Sequence, residues 1–294
     1  MVPRLSSIPA PRVAVWYWKG GVGKSTTTMM LSLLAARQRQ RVLTIDLDPE
    51  CGTSRDFLGR GVHDAQVNLK TYLESPAIAA PPALPTGIPF LDVLPGSPDS
   101  GRFFRHFAEG SLKLRDGLDL LTSDYRWVFM DVPHQLDNIA QLGLIAADYV
   151  LLPLELTEDC LERLSTVLTI IAESRVFNPS LTVLGGIPLA LAPRNDRLLA
   201  ISAKEEEIYR RYADALAPND VRLFRTIMYL SAKHSVEEAR VNADFRLMHW
   251  TARRRYRRFF TELVCAIKTA VLRSHPTHDR RHHRAATSAA AVAA

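Results

Sequence analysis

The sequence predicts an α/β fold, doubly wound, with a mostly parallel sheet and helices on both faces. Three observations predict it. The apolar run Val13 to Trp18 leads through a glycine-rich turn into a helical stretch that starts at Lys24. A second apolar run, Val42 to Asp46, follows at the spacing of a strand, helix, strand unit, which calls for parallel pairing. Further on, Trp127 to Met130 is an uninterrupted apolar run that ends in Asp131. A strand apolar along its whole length belongs in a sheet covered on both faces.

Taken in order, residues 1 to 11 read as a flexible arm, 12 to 273 as a single domain and 274 to 294 as a low-complexity, disordered tail. Val13 to Tyr17 is the first strand, Lys24 to Gln38 the first helix and Val42 to Asp46 the second strand. Asn68 to Glu74 reads as a short helix, and Ser75 to Pro89 as a proline-rich surface connection. Phe90 to Leu94 is a strand, 101 to 122 one or two amphipathic helical pieces broken near Gly110, and Trp127 to Asp131 a strand. Gln135 to Ala146 is a helix, Tyr149 to Leu154 a strand, and Thr157 to Ser174 a helix with Thr157 as N-cap. Leu181 to Leu191 contains a strand bent or bulged at Gly185-Gly186. Arg197 to Leu216 is a helix, Val221 to Ile227 a strand, and Thr251 to Arg273 a helix. That last helix has Tyr256, Phe259, Phe260, Leu263, Val264, Ile267 and Val271 on one stripe.

The 294 residues are 47% apolar and 23% charged, an ordinary balance for a soluble protein with a sizeable core. Met1 to Arg12 holds three prolines and no apolar segment, and the longest apolar run, Leu142 to Leu154, is interrupted by Asp148. Neither a secretory signal nor a membrane span is read, so the expectation is a cytoplasmic protein with no membrane partner. Cys51, Cys160 and Cys265 form no close pair, which argues against a disulfide framework or a zinc site. From Arg246 onward, Lys and Arg exceed acids by nine; with a chain total of +6, everything before it carries net −3. Such asymmetry points to a polyanionic partner or to a solvated basic face.

The chemistry gathers where strands end. Lys19 to Thr26, KGGVGKST, carries the Gly23-Lys24-Ser25 end of a P-loop in the strand, turn, helix setting such a loop needs. Trp18 stands where the usual pattern has its first glycine. Gly20, Gly21, Val22, Gly23, Lys24, Ser25 and Thr26 then form a phosphate cradle. The glycines allow backbone angles a Cβ would forbid, Lys24 brings charge to the β- and γ-phosphates, and Ser25 offers a hydroxyl to Mg²⁺. The plain alternative is a glycine turn that only joins strand to helix. Asp46 and Asp48 close the second strand two residues apart, so an extended chain points both to one side at the ligand-binding edge. Turn formation ahead of Pro49 is the competing explanation. Asp131, at the end of its strand, fits the acid that faces the metal in P-loop enzymes.

Together these motifs resemble the ParA/MinD family of deviant Walker A ATPases. The likeness rests on the extra lysine Lys19 before Gly20-Gly21, on Asp46 to Gly52 (DLDPECG) as switch I, and on Asp131 with Pro133 as switch II. It runs from about Arg12 to Arg273 and is nearest to the ParA-type partition proteins. It implies ATP and Mg²⁺ as cofactors, with Ser25, Asp46 and Asp131 at the metal, Lys24 and Asp48 serving hydrolysis, and Pro193 and Asn195 near the base. Lys19 would reach across a nucleotide-sandwich homodimer to the partner's phosphates. Similar proteins bind double-stranded DNA without sequence preference and near the nucleoid, and release it after hydrolysis stimulated by a ParB-like centromere-binding protein. Arg253, Arg254, Arg257 and Arg258, whose guanidinium groups suit phosphate oxygens, are the expected DNA surface.

The sequence departs from the family at Glu50 and Cys51, usually Gln and Gly, and at His134 in place of a second proline. Met228-Tyr229-Leu230 stands where a Pro-Arg-Asn loop is common. His134 reads as a surface or helix-capping residue ahead of an active-site one. A MinD-like positioning ATPase would share the motifs but usually ends in an amphipathic helix, and Ser274 to Ala294 has no apolar stripe. An iron-sulfur relative would need cysteines arranged for a cluster. A DNA-binding module with a vestigial nucleotide site would bind DNA independently of ATP.

Overall fold

In chain order the strands are β1 (Arg12–Val15), β2 (Val42–Asp46), β3 (Leu84–Pro85), β4 (Leu91–Leu94), β5 (Trp127–Asp131), β6 (Tyr149–Glu155), β7 (Thr182–Leu191) and β8 (Met228–Leu230). They form one sheet in the order β3-β4-β2-β5-β1-β6-β7-β8. Among the described residues, only the β3–β4 pair is antiparallel. The structure is a computed structural model that describes residues 10–59, 66–75, 79–100, 107–120, 124–135, 138–191, 201–230 and 250–274. The helices among these are α1 (Lys24–Arg37), α2 (Gly52–Leu58), α3 (Leu69–Glu74), α4 (Phe107–Asp119), α5 (Asn138–Ala146), α6 (Glu158–Glu162), α7 (Leu164–Ser174), α8 (Ala203–Leu216) and α9 (Trp250–Ser274).

Strand side chains alternate between two cores, as a pleated sheet dictates. Val13 and Val15 of β1 and Trp127 and Phe129 of β5 face Leu31 and Leu34 of α1 and Phe259, Phe260, Leu263 and Ile267 of α9. Ala14, Val128 and Met130 face the other way, against Leu114 of α4, Leu142 of α5, Val167 and Ile171 of α7 and Tyr212 of α8. Helices therefore cover both faces, and the two-layered covering keeps the central strands mostly apolar. Trp127 stacks on Phe129 with ring centroids 5.4 Å apart, and Phe259 meets Phe224 edge-on at 5.1 Å. Val264 and Val271 of the expected stripe are only half-buried against this core.

Several boundaries differ from the sequence expectation. The 221–227 stretch is not a strand. It touches β7 through one bridge, Gly186 to Leu223, and the ladder resumes only at Met228. This stretch passes close to Gly185, at φ +152, where a Cβ would lie 2.7 Å from Arg222 and 2.9 Å from Phe224; beside it the β6–β7 register slips, as Gly185-Gly186 suggested. Helix α4 runs through Gly110 without a break. The expected Thr157 to Ser174 helix is two helices parted at Arg163, with Thr157 in the N-cap position of α6 but making no side-chain cap bond. Helix α2 was not expected at all. The sheet begins at Arg12, with Ala10 and Pro11 already buried, while residues 1–9 and 275–294 of the expected arm and tail lie outside the described residues. The helix expected from Arg197 starts at Ala203, where Ser202 and Glu205 form a capping box, and 197–200 lie outside the described residues. Cys51 and Cys160 are buried and Cys265 is exposed. No helix among the described residues is long and apolar enough to cross a membrane.

Candidate functional site

β1 lies near the middle of the sheet, and the turn after it opens at the carboxyl edge of the strands, beside the ends of β5 and β6. Gly21 and Gly23 both have φ 75, in the left-handed region. A Cβ on Gly21 would meet nothing within 4 Å, so its backbone angle and not its surroundings calls for glycine. Val22 is fully buried and anchors the loop, while Ser25 and Thr26 are half-buried in the first turn of α1. The open N–H groups of that turn suit an anion. Lys24 is 6% exposed, and its Nζ donates to the Lys19 carbonyl at 2.9 Å. Burial lowers its pKa, while Asp131, Asp48 and Glu50 act to raise it.

Parallel pairing of β2 with β5 sets Asp46 directly beside Asp131, and both are fully buried. Burial raises the pKa of Asp46, and the charge of Asp131 adds to it. Burial likewise raises that of Asp131, against the Thr53 and Ser25 hydroxyls that hold it down. The two carboxylates are satisfied differently. Asp46 Oδ2 accepts from Ser54 N at 2.7 Å and Ser54 Oγ at 2.6 Å, and its Oδ1 accepts from Asp48 N at 3.1 Å. Asp131 Oδ2 accepts from Thr53 Oγ1 at 2.7 Å, but its Oδ1 is buried without a hydrogen-bond partner. An orphaned buried carboxylate oxygen near the Ser25 hydroxyl fits a hard cation such as Mg²⁺, which needs only one or two protein carboxylates when phosphates and waters supply the rest.

Asp48 is half-buried, and its Oδ1 accepts from Glu50 N at 2.9 Å. Cys51, which follows, is held at φ 52, uncommon for a residue with a side chain. Burial, then the charges of Asp46 and Asp48, push its thiol up to about 12. The turn after β4 presses on this segment: a Cβ on Gly96 would be 2.9 Å from the Asp48 carbonyl and 3.1 Å from that of Asp46.

Lys19, at the loop's mouth, is held within its own chain. Its Nζ lies 2.7 Å from Glu155 Oε2, 3.2 Å from Asp159 Oδ2 and 3.4 Å from Thr157 Oγ1. Burial works against its charge, but the bonds to Glu155 and Asp159 outweigh that and raise its pKa. Asp159 also pairs with Arg163 at 2.9 Å, whose guanidinium lies 5.3 Å from the centre of the Trp18 ring. Beneath, Tyr212 donates to the Glu155 carbonyl at 3.1 Å and Tyr17 to that of Cys160 at 2.5 Å. His134 is half-buried against the phosphate loop, with its ring 3.8 Å from where a Cβ of Gly20 would be, so it is at the site and not out on the surface.

The loop, Asp46, Asp48 and Asp131 thus converge, whereas Pro193 and Asn195 lie outside the described residues. On α9, Arg254, Arg257 and Arg258 are exposed; the side chain of Arg253 lies outside the described set. Arg255 turns inward, its Nη1 donating to the Ile227 carbonyl at 2.9 Å and its guanidinium sitting 4.6 Å from the Tyr229 ring centre. Sequence reasoning missed Thr53, Ser54, Glu155 and Asp159. The signal available was a hydroxyl residue eight places beyond Asp46, and an acid closing β6 as Asp46 and Asp131 close theirs.

Comparison with known proteins agrees with this geometry. Residues 11–183 match the family model described as AAA domain. The chain is 32% identical over 227 residues to the chromosome partitioning protein ParA of Caulobacter vibrioides, covering 74% of this chain and 84% of that protein. In fold it resembles McdA of Cyanothece in a complex with ATP, with TM-score 0.72 and 20% identity over 87% of this chain and 96% of that one. It also resembles the cobyrinic acid a,c-diamide synthase of Mycobacterium smegmatis with bound ADP and magnesium, with TM-score 0.65 and 22% identity over 83% and 96% of the two chains. A P-loop opened by an extra lysine, acids at the ends of β2 and β5, and a ParA relative matched over most of both chains place this protein in the ParA/MinD family of deviant Walker A ATPases, on its ParA-type side.

Proposed function

We propose that the protein is a Mg²⁺-dependent ATPase that segregates DNA, binding it non-specifically as an ATP-bound homodimer and releasing it after hydrolysis. The observation that carries the reading is the meeting of the phosphate loop, buried Lys24 and the free oxygen of Asp131 at one edge of the sheet. Gly20 to Thr26 would cradle the triphosphate, with Lys24 neutralising the β- and γ-phosphates. Ser25 and Asp131 would hold Mg²⁺, with Asp46, both of whose oxygens are already engaged, behind them. The bound cation would supply charge neutralisation across the phosphates. Asp48 would orient the attacking water, and Pro193 and Asn195 would lie near the base.

Lys19 would act on the phosphates of a second subunit, as an arginine finger does in other NTPases. ATP then favours the dimer, and the dimer doubles the arginine surface that meets DNA. A ParB-like protein at a centromere-like site would stimulate hydrolysis, and the cell compartment would be the cytoplasm, at the nucleoid. Residues 12–273 would act as one domain. The test is calorimetry: Lys24→Ala should abolish ATP binding, and unchanged affinity would remove the phosphate-loop assignment.

A further inference from the structure

We propose that Thr53 and Ser54 are positioning residues for the metal, and that through them helix α2 carries the state of the metal site to the Asp48 segment. Asp46 and Asp131 are neighbours in register and fully buried, so their carboxylate oxygens need hydrogen-bond donors from the protein. Consecutive residues of α2 supply them. Thr53 donates to Asp131 Oδ2 at 2.7 Å, and Ser54 donates to Asp46 Oδ2 through N at 2.7 Å and Oγ at 2.6 Å. Ser54 Oγ also accepts from Gly96 N at 2.9 Å, which ties the helix to the turn after β4.

Thr53 and Ser54 are themselves fully buried, so water does not compete for these bonds. Thr53 engages one oxygen of Asp131 and leaves the other without a partner. That fixes the rotation of the carboxylate, and Mg²⁺ tolerates little departure from octahedral geometry. Groups that orient a metal-binding side chain in this way are typically worth about 10- to 100-fold in metal affinity. Asp48 shares the arrangement, because its N–H donates to Asp46 Oδ1 at 3.1 Å while Ser54 holds Oδ2.

The proposal rests on Asp131 as a metal-facing residue. The test titrates Mn²⁺ into ADP-loaded protein by calorimetry, with ADP affinity in EDTA as control and hydrogen exchange measured across 52–58. Thr53→Val keeps the shape and removes the donor; it should weaken Mn²⁺ by about 10- to 100-fold, leave ADP affinity in EDTA unchanged and speed exchange in α2. Thr53→Ser restores the donor and should restore Mn²⁺ affinity. Should Thr53→Val fail to fold, Thr53→Ala takes its place against the same serine rescue. Wild-type Mn²⁺ affinity in both donor-free variants would overturn the positioning role while leaving the ATPase reading intact. A wild-type protein that binds ADP but no Mn²⁺ would instead overturn the metal assignment of Asp131, and this proposal with it.

Discussion

At the scale of single residues, the site is a contrast between groups that are tied and groups that are free. Lys19 is tied to Glu155 and Asp159, both on its own chain. If it acts across a dimer it must leave them, so Lys19→Ala should lose ATPase activity and ATP-dependent dimerisation together, the latter read on a sizing column. Glu155→Gln loosens the tie without removing the lysine. Partly exposed ion pairs contribute about 0.2–1 kcal/mol each, and a symmetric dimer would release two, so the protein concentration at half-dimerisation with ATP should fall by no more than about thirtyfold. A rise in that concentration would mean Glu155 supports the dimer. Asp48 is bonded within its own segment, to Asp46 Oδ1 through its N–H and to Glu50 N through Oδ1. Asp48→Ala should therefore bind ATP normally, hydrolyse it slowly and accumulate as dimer. Normal turnover in that variant would contradict its role.

At the scale of elements, what was legible in the sequence follows from how each element is held. β1, β2, β5 and β6 are buried on both faces, so their runs are mostly apolar and announce themselves. Helix α2 has no such run: its buried residues are Thr53 and Ser54, and they bond carboxylates 78 and 8 residues away. Thr157 to Ser174 has a continuous helical pattern, and the break at Arg163 coincides with contacts to Asp159 and Trp18 that periodicity does not encode. The stripe on α9 was legible because Phe259, Leu263 and Ile267 recur at helical spacing. Phe259→Ala should cost about 3–5 kcal/mol in chemical denaturation.

A pH effect belongs at this scale as well. Asp148 joins β1 to β6 by accepting from Arg12 N at 2.9 Å, and burial raises its pKa above the ordinary value. The folded state therefore holds the proton more tightly than the unfolded chain. Its contribution to stability is present below the ordinary aspartate range and is lost as pH rises through the raised value. Asp148→Asn keeps an acceptor for Arg12 and removes the titration. The melting temperature should then vary less with pH above the ordinary aspartate range than it does in the wild type.

At the scale of the whole molecule, charge is unevenly placed. The excess of nine positive groups from Arg246 onward sits on a chain otherwise net −3, and its exposed members include Arg254, Arg257 and Arg258 on α9. If that face meets DNA phosphates, affinity should fall steeply with salt. Arg254→Ala with Arg257→Ala should lessen the slope of log K against log salt by about 0.9 for each phosphate no longer neutralised, and by about twice that in a symmetric dimer. ATP affinity should stay unchanged. DNA binding indifferent both to salt and to the double substitution would place the DNA surface elsewhere. Arg255 was legible as basic but not as occupied: its guanidinium holds the Ile227 carbonyl and the Tyr229 ring, which leaves it a poorer phosphate ligand than its neighbours.

The three thiols are as unevenly placed as the charge. Cys51 and Cys160 are buried, and Cys265 is exposed on α9. A maleimide dye added to the native protein should therefore react at one position, seven residues beyond Arg258 on the same helix. The protein carries its own attachment point for a fluorophore next to the surface proposed to meet DNA, so docking and release can be followed in real time without first engineering any cysteine out.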